Sequence, residues 1–185
     1  MTFYKEWLTL PKNEFRILIM IAESEPFVGN LSDMCRYFSI SPQSKNKNKL
    51  KTDINSLIEK GIITAELSGR KYTLSSIPKD EENIIKLSRD WIDLKRIRES
   101  KFSVSVSFEA VVKVLLFAIE FQNQIVNNEM IEKYLNMSES VITSAKKVIR
   151  EDFEALHIEY LRSQDTTGIY RCEGQIFTLS AWINQ

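Results

Sequence analysis

Few side chains in this sequence are suited to covalent or metal chemistry, and their spacing argues against an enzyme. The single histidine, His157, has no partner set, because with Cys35 and Cys172 it supplies fewer ligands than a metal cluster needs. The two cysteines lack CxxC spacing and read as isolated buried thiols in a reducing compartment, without a disulfide. Glycines 29, 61, 69, 168 and 174 form neither a GxGxxG pattern nor a phosphate loop. Carboxylate pairs such as Glu151 and Asp152 read as solvated helix surface. The expectation is no catalytic residue, no metal and no cofactor.

The chemistry that stands out is charge. The stretch SPQSKNKNKLK (41–51) carries four lysines, two asparagines and no acid, in a chain whose 25 bases balance 25 acids. The balance is uneven along the chain. Residues 1–78 hold 11 bases against 8 acids, residues 79–101 hold 7 against 6, and residues 102–185 hold 7 against 11. The two ends face different electrostatic tasks. The hydrophobic share of 43% and charged share of 27% are those of a folded protein. No apolar run approaches the ~20 residues that cross a membrane, so a cytoplasmic location is expected.

The elements that position the lysines come from an internal repeat. YFSIS (37–41) has a counterpart in YLNMS (134–138), GII (61–63) in HIEYL (157–161), and KYTLS (71–75) in IFTLS (176–180). Each half opens with an apolar helix, over 10–23 and 107–121. Duplication of one unit is the best account. The unit predicts a first helix starting at Pro11 or after Ser107, and a short second helix near 31–38 or 128–135. A third helix follows, N-capped by Ser41 (with Pro42 in its first position) or by Ser138. Gly61 suits the left-handed end of the third helix in the first half. A hairpin turning at SGRK (68–71) closes that half, and the second half has a longer connection.

LSDMCRYFSIS…LKTDINSLIEKGII…YTLS and NEMIEKYLNMS…KKVIREDFEALHI…FTLS resemble, twice over, the winged helix-turn-helix superfamily. The opening LPKNEF and the tandem arrangement also look like plasmid and phage regulators and replication initiators. The resemblance implies a mostly α protein with small β-hairpin wings. Its parts would be an N-terminal winged-helix domain at 1–78, a connecting helix at 79–101 and a C-terminal winged-helix domain at 102–185.

In that family the third helix enters the DNA major groove, and on a helical wheel the lysines take on a role. Leu50, Ile54, Leu57 and Ile58 form the core face. Lys45, Asn48, Lys49 and Thr52 lie opposite, and Lys47 and Lys51 flank the core edge. Lysines neutralise phosphates, and asparagine can read an adenine edge. By resemblance Arg70 and Lys71, at the wing tip, reach the adjacent backbone or minor groove. The implied function is double-stranded DNA binding, as a transcriptional regulator or a mobile-element replication initiator.

In the second half the core positions are Ile142, Ala145, Ile149, Phe153 and Leu156. Thr143, Lys147 and Arg150 face outward as secondary candidates for DNA contact, beside Glu151 and Glu154. Those glutamates, and His157 standing where Gly61 does, favour a protein-binding or homodimerising role for this half. Within 77–101 Ile84, Leu87, Trp91 and Leu94 recur at helical spacing with Ile85 and Ile92 beside them, either packing on the chain's own domains or forming a dimer seam. Trp7, Trp91 and Trp182 read as core or interface anchors. The rival function is a protein-binding adaptor, or a mobile-element inhibitor of host defence, built on winged-helix domains.

Overall fold

Two apolar helices of 13 residues, α1 (Lys12–Ser24) and α5 (Phe108–Glu120), each lie at the centre of a separate unit. Ile17–Ile21 and Val111–Phe117 are buried with no exposed face, so each helix is enclosed on every side. The computed structural model describes residues 1–89, 91–100 and 106–180. One compact unit is Met1–Trp7 with Pro11–Ile84, and the other is Leu8–Leu10 with the chain from Ile85 onward.

The first unit begins with strand β1 (Thr2–Tyr4). After α1 come β2 (Phe27–Gly29), α2 (Leu31–Tyr37), α3 (Ser44–Glu59), β3 (Ile63–Ser68) and β4 (Lys71–Ser76). The second unit is entered through β5 (Ile84–Lys86) and α4 (Leu94–Glu99). After α5 it runs β6 (Ile125–Val126), α6 (Asn128–Leu135), α7 (Glu139–Lys147), β7 (Leu156–Gln164) and β8 (Tyr170–Leu179). From α1 and from α5 the order of elements is therefore the same. Each unit carries a three-stranded antiparallel sheet, in the orders β2-β4-β3 and β6-β8-β7. The described residues thus hold seven α-helices and several small antiparallel sheets.

Local chemistry explains the element boundaries. Asn30 caps α2, its Oδ1 accepting from the N–H groups of Ser32 at 2.8 Å and Asp33 at 3.1 Å, while Asp33 Oδ2 accepts from Asn30 N–H at 2.8 Å. Asn127 does the same for α6, accepting from Met130 N–H at 2.8 Å. At the end of α3, Gly61 has φ +67. There Gly61 N–H reaches Ile58 O at 2.9 Å and Ile62 N–H reaches Leu57 O at 3.0 Å, the bonds of a Schellman motif. Gly61 is thus the helix stop that its position predicts.

The structure alters several sequence expectations. Ser41 and Pro42 do not start α3, which begins at Ser44 with Gln43 as N-cap. The Ser41 carbonyl instead accepts from Asn46 Nδ2 at 2.8 Å, outside the helical ladder. Ser138 does stand at the N-cap of α7, with no side-chain bond to the helix backbone. Ile58 lies 40% exposed, beyond the edge of the face that buries Leu50, Ile54 and Leu57. Cys35 is buried as expected, but Cys172 is exposed on β8.

The expected connecting helix over 79–101 is confined to α4. Ile85 and Leu87 are buried while Lys86 between them is exposed, the period-two pattern of extended chain. The Asp93 side chain then starts α4 afresh by accepting from the Lys95 and Arg96 N–H groups. Ile85, Leu87, Trp91, Ile92 and Leu94 are all buried within the chain, which removes them as a dimer seam. Trp7 and Trp91 are likewise buried, and Trp182 lies outside the described residues.

His157 does not take the place of Gly61. The third helix of the second unit widens after α7 into a π-turn over Val148–Asp152, where Phe153 N–H bonds Val148 O at 3.3 Å. Glu154, with φ 50, makes the left-handed reversal. His157 therefore falls inside β7, opposite Thr178. The expected core residues Ile142, Ala145, Ile149, Phe153 and Leu156 are all buried.

The matching tetrapeptides also slip. Gly29, just before the Asn30 cap, pairs with Tyr72, and Val126, just before the Asn127 cap, pairs with Gln175. Tyr72 thus corresponds to Gln175 and Leu74 to Phe177, two residues away from the alignment of YTLS with FTLS. A two-residue slip keeps every side chain on its face, so both alignments satisfy the same apolar alternation.

Candidate nucleic-acid interface

The site is built on α3 and the β3–β4 hairpin. Leu50, Ile54 and Leu57 anchor α3 in the core at 0%, 1% and 0% exposure. A second tie is polar. Glu14 on α1 is buried and accepts from Ser56 Oγ at 2.8 Å and from Lys60 Nζ at 2.6 Å, holding the C-terminal half of α3. Lys60 is partly exposed, so this pair contributes about 1 kcal/mol rather than a buried-pair magnitude. The hairpin is fixed by the Ser68–Lys71 pairing and by Gly69, whose φ of +62 suits the two-residue turn.

With α3 held this way, its basic residues stand clear of the core. Lys45, Asn48, Lys49, Lys51 and Thr52 are exposed, as are Arg70 and Lys71 at the hairpin turn, and Lys47 is half-buried. Thr52 Oγ1 donates to Asn48 O at 3.1 Å, which leaves the hydroxyl oxygen free to accept. Among the described residues, none of the six bases Lys45, Lys47, Lys49, Lys51, Arg70 and Lys71 forms a salt bridge. The acid on this helix nearest to them, Asp53, has a carboxyl pushed up by burial against the pull of Arg16 and Lys49. Its Oδ2 is buried without a hydrogen-bond partner among the described residues.

The bases divide into two groups. Lys47, Lys51 and Arg70 line a cleft of about 420 Å³ between α3 and the hairpin. Its other walls are Asn30, Leu31 and Ser32 at the start of α2, and Leu67, Gly69 and Tyr72. No acid lines it. Lys45, Lys49 and Lys71 lie outside it with Asn48 and Thr52. Sequence reasoning does not anticipate the α2 wall, although the N-x-x-D spacing of Asn30 and Asp33 signals a capped helix there. It also has no signal for Leu67, whose exposure depends on how far the hairpin projects.

The second unit differs electrostatically at the corresponding place. Thr143, Lys147 and Arg150 are exposed. Glu151, however, sits 3.8 Å from Lys147 Nζ and 2.9 Å from an Arg150 nitrogen, and this hydrogen bond raises the Arg150 pKa. On the hairpin, Arg171 lies 3.7 Å from Asp165. Two acids thus offset part of the charge of these three bases. A polar chain runs from the buried Lys146 and Gln175 out to the exposed Asn128 and Glu139. Lys146 Nζ donates to Gln175 Oε1 at 2.7 Å, Gln175 Nε2 to Asn128 Oδ1 at 2.7 Å, and Asn128 Nδ2 to Glu139 Oε1 at 2.8 Å. His157 and Cys172 do not approach each other as a ligand set, and no group of three metal-ligating residues occurs among the described residues.

No described helix is long and apolar enough to cross a membrane. Comparison of the chain with protein-family models, curated proteins and solved structures finds no match to any of them.

Proposed function

We propose that the chain consists of two tandem winged helix-turn-helix domains and that the first binds double-stranded DNA, with α3 in the major groove. The role is that of a transcriptional regulator or a mobile-element replication initiator. The observation that carries this reading is the set of six bases on α3 and its hairpin, none of which forms a salt bridge among the described residues. Like charges held this close repel one another, and an unpaired cluster on an ordered scaffold is accounted for by an anionic partner. The repeated order of helices and three-stranded sheets supports the tandem assignment. The second unit, whose bases Lys147, Arg150 and Arg171 are partly offset by Glu151 and Asp165, serves a protein contact, either a second copy of the chain or an adaptor partner.

Titration of a random-sequence DNA duplex at several salt concentrations tests the reading. Lys45→Ala and Lys49→Ala should each weaken binding to all duplexes and lower the salt slope by roughly 0.9 for each phosphate no longer neutralised. Asn48→Ala and Thr52→Ala should leave that affinity nearly unchanged. At a sequence selected from a random pool each should cost ~1–3 kcal/mol. Failure of the wild-type protein to bind any duplex at low salt sinks the DNA reading and leaves the adaptor as the function of both units.

A further inference from the structure

The cleft between α3 and the hairpin has a composition that groove reading by α3 does not require. Lys47 and Lys51 are one helical turn apart and point along the same side of α3, away from Lys45, Asn48, Lys49 and Thr52. Arg70 faces them from the hairpin turn. Three cations thus share one cavity of about 420 Å³ with no acid on its walls among the described residues. The same cavity has an apolar side. Leu67 is 60% exposed there, next to its cross-strand neighbour Tyr72. Leu67 and Tyr72 give the cavity an apolar wall beside its cations, which a simple counter-ion would leave in water.

We propose that this cleft seats one sugar–phosphate unit of a DNA strand, with Lys47, Lys51 and Arg70 converging on a single phosphate and Leu67 packing against the deoxyribose. The chemistry fits on both sides. A phosphodiester carries one charge and several acceptor oxygens, and the fork of Arg70 with two ammonium groups supplies donors from two directions. The sugar attached to it presents C–H surface at the distance of one bond or two, where Leu67 stands. This assignment rests on the DNA reading and adds to it a division of labour. Lys45 and Lys49 hold phosphates flanking the groove, whereas the three cleft bases act together on one.

That division has a measurable signature, because the salt slope counts neutralised phosphates and not cations. For a random-sequence 20-base-pair DNA duplex titrated from low to moderate salt, the triple variant K47A/K51A/R70A should lose about 0.9 from the slope, the value for one phosphate. The pair K45A/K49A should lose about twice that. Leu67→Ser should lower affinity about fivefold at every salt concentration, giving a line parallel to wild type, since the packing it removes is uncharged. Of the six positions changed, five are exposed and Lys47 is half-buried, and unchanged thermal melting of each variant confirms that the fold is intact.

A slope loss of three phosphates in the triple variant, or none, overturns the shared seat, as does wild-type affinity for Leu67→Ser. If the triple variant binds as wild type while K45A/K49A does not, the cleft is empty in the complex and DNA binding by α3 still stands. If wild-type protein binds no duplex, the DNA reading itself has failed.

Discussion

Lys146 gives the most direct test of how the second unit is built. Its ammonium is buried, 6% exposed, and donates to the uncharged Gln175 Oε1. Burial lowers its pKa from 10.5 to about 8, against a smaller opposing pull from Cys172 and Glu139. In the unfolded chain the group returns to the ordinary lysine value. Below pH 8 both states are protonated, and the folded state carries the full cost of the buried charge. Between pH 8 and 10.5 the folded state releases its proton while the unfolded state keeps it. The unfolded state then binds more protons, so stability rises with pH across that window.

At 1.36 kcal/mol per pKa unit the full effect is about 3 kcal/mol, most of which develops between pH 7 and 10. Lys146→Met removes this titration. It also leaves Gln175 Oε1 buried without its donor, which costs ~1–3 kcal/mol at every pH. The expected result, from urea unfolding of both proteins at pH 7, 8, 9 and 10, is a difference that widens against the variant by about 2 kcal/mol as pH rises. Titrations common to both proteins, including that of Lys113, cancel in the difference. A stability difference that stays constant over this range would show that Lys146 is charged and solvated in the folded state, and would refute the buried Lys146–Gln175 contact.

Asn30→Ala removes two accepted bonds and one half of a capping box, so it should destabilise the first unit by about 1–2 kcal/mol in chemical denaturation. Asn127→Ala removes one such bond and should cost about 1 kcal/mol. Gly61→Ala meets no neighbour within 4 Å, so its cost, about 1 kcal/mol, comes from the left-handed backbone alone, and a thermal melt will report it. Lys147→Ala and Arg150→Ala, whose charges Glu151 already offsets, should leave random-duplex affinity within about twofold of wild type in the same salt titration.

Much of the architecture is legible in the sequence because local rules and tertiary packing agree. Gly61 stops α3, Ser107 starts α5, and the α6 range of Asn128–Leu135 coincides with the expected one. The repeat is visible because both units must bury an apolar helix beneath a hairpin. Its register is less visible. Alternation has a period of two, so YTLS and FTLS align equally well at a slip of two residues, and only the strand pairings beside Asn30 and Asn127 choose between them. The segment 79–101 misleads for a related reason. Its apolar residues recur at helical spacing over a stretch where burial of Ile85 and Leu87 draws the chain into extended form.

For the candidate interface, sequence alone determined which residues carry charge and which half they fall in. Residue identity is enough to show that 41–51 holds lysines without acids. The pairing of Lys147 and Arg150 with Glu151, at i,i+4 and i,i+1 in the chain, is local and is legible there too. That no acid from a distant element forms a salt bridge with the bases of α3, among the described residues, was decided by the tertiary structure. The division of the first unit's bases between an open helix face and a cleft with Leu67 likewise depends on where the β3–β4 hairpin stands against α3. Coulomb energy falls with separation in space, and residues distant in the chain, such as Lys47 and Arg70, become a single charged site only when the fold brings them to one cavity.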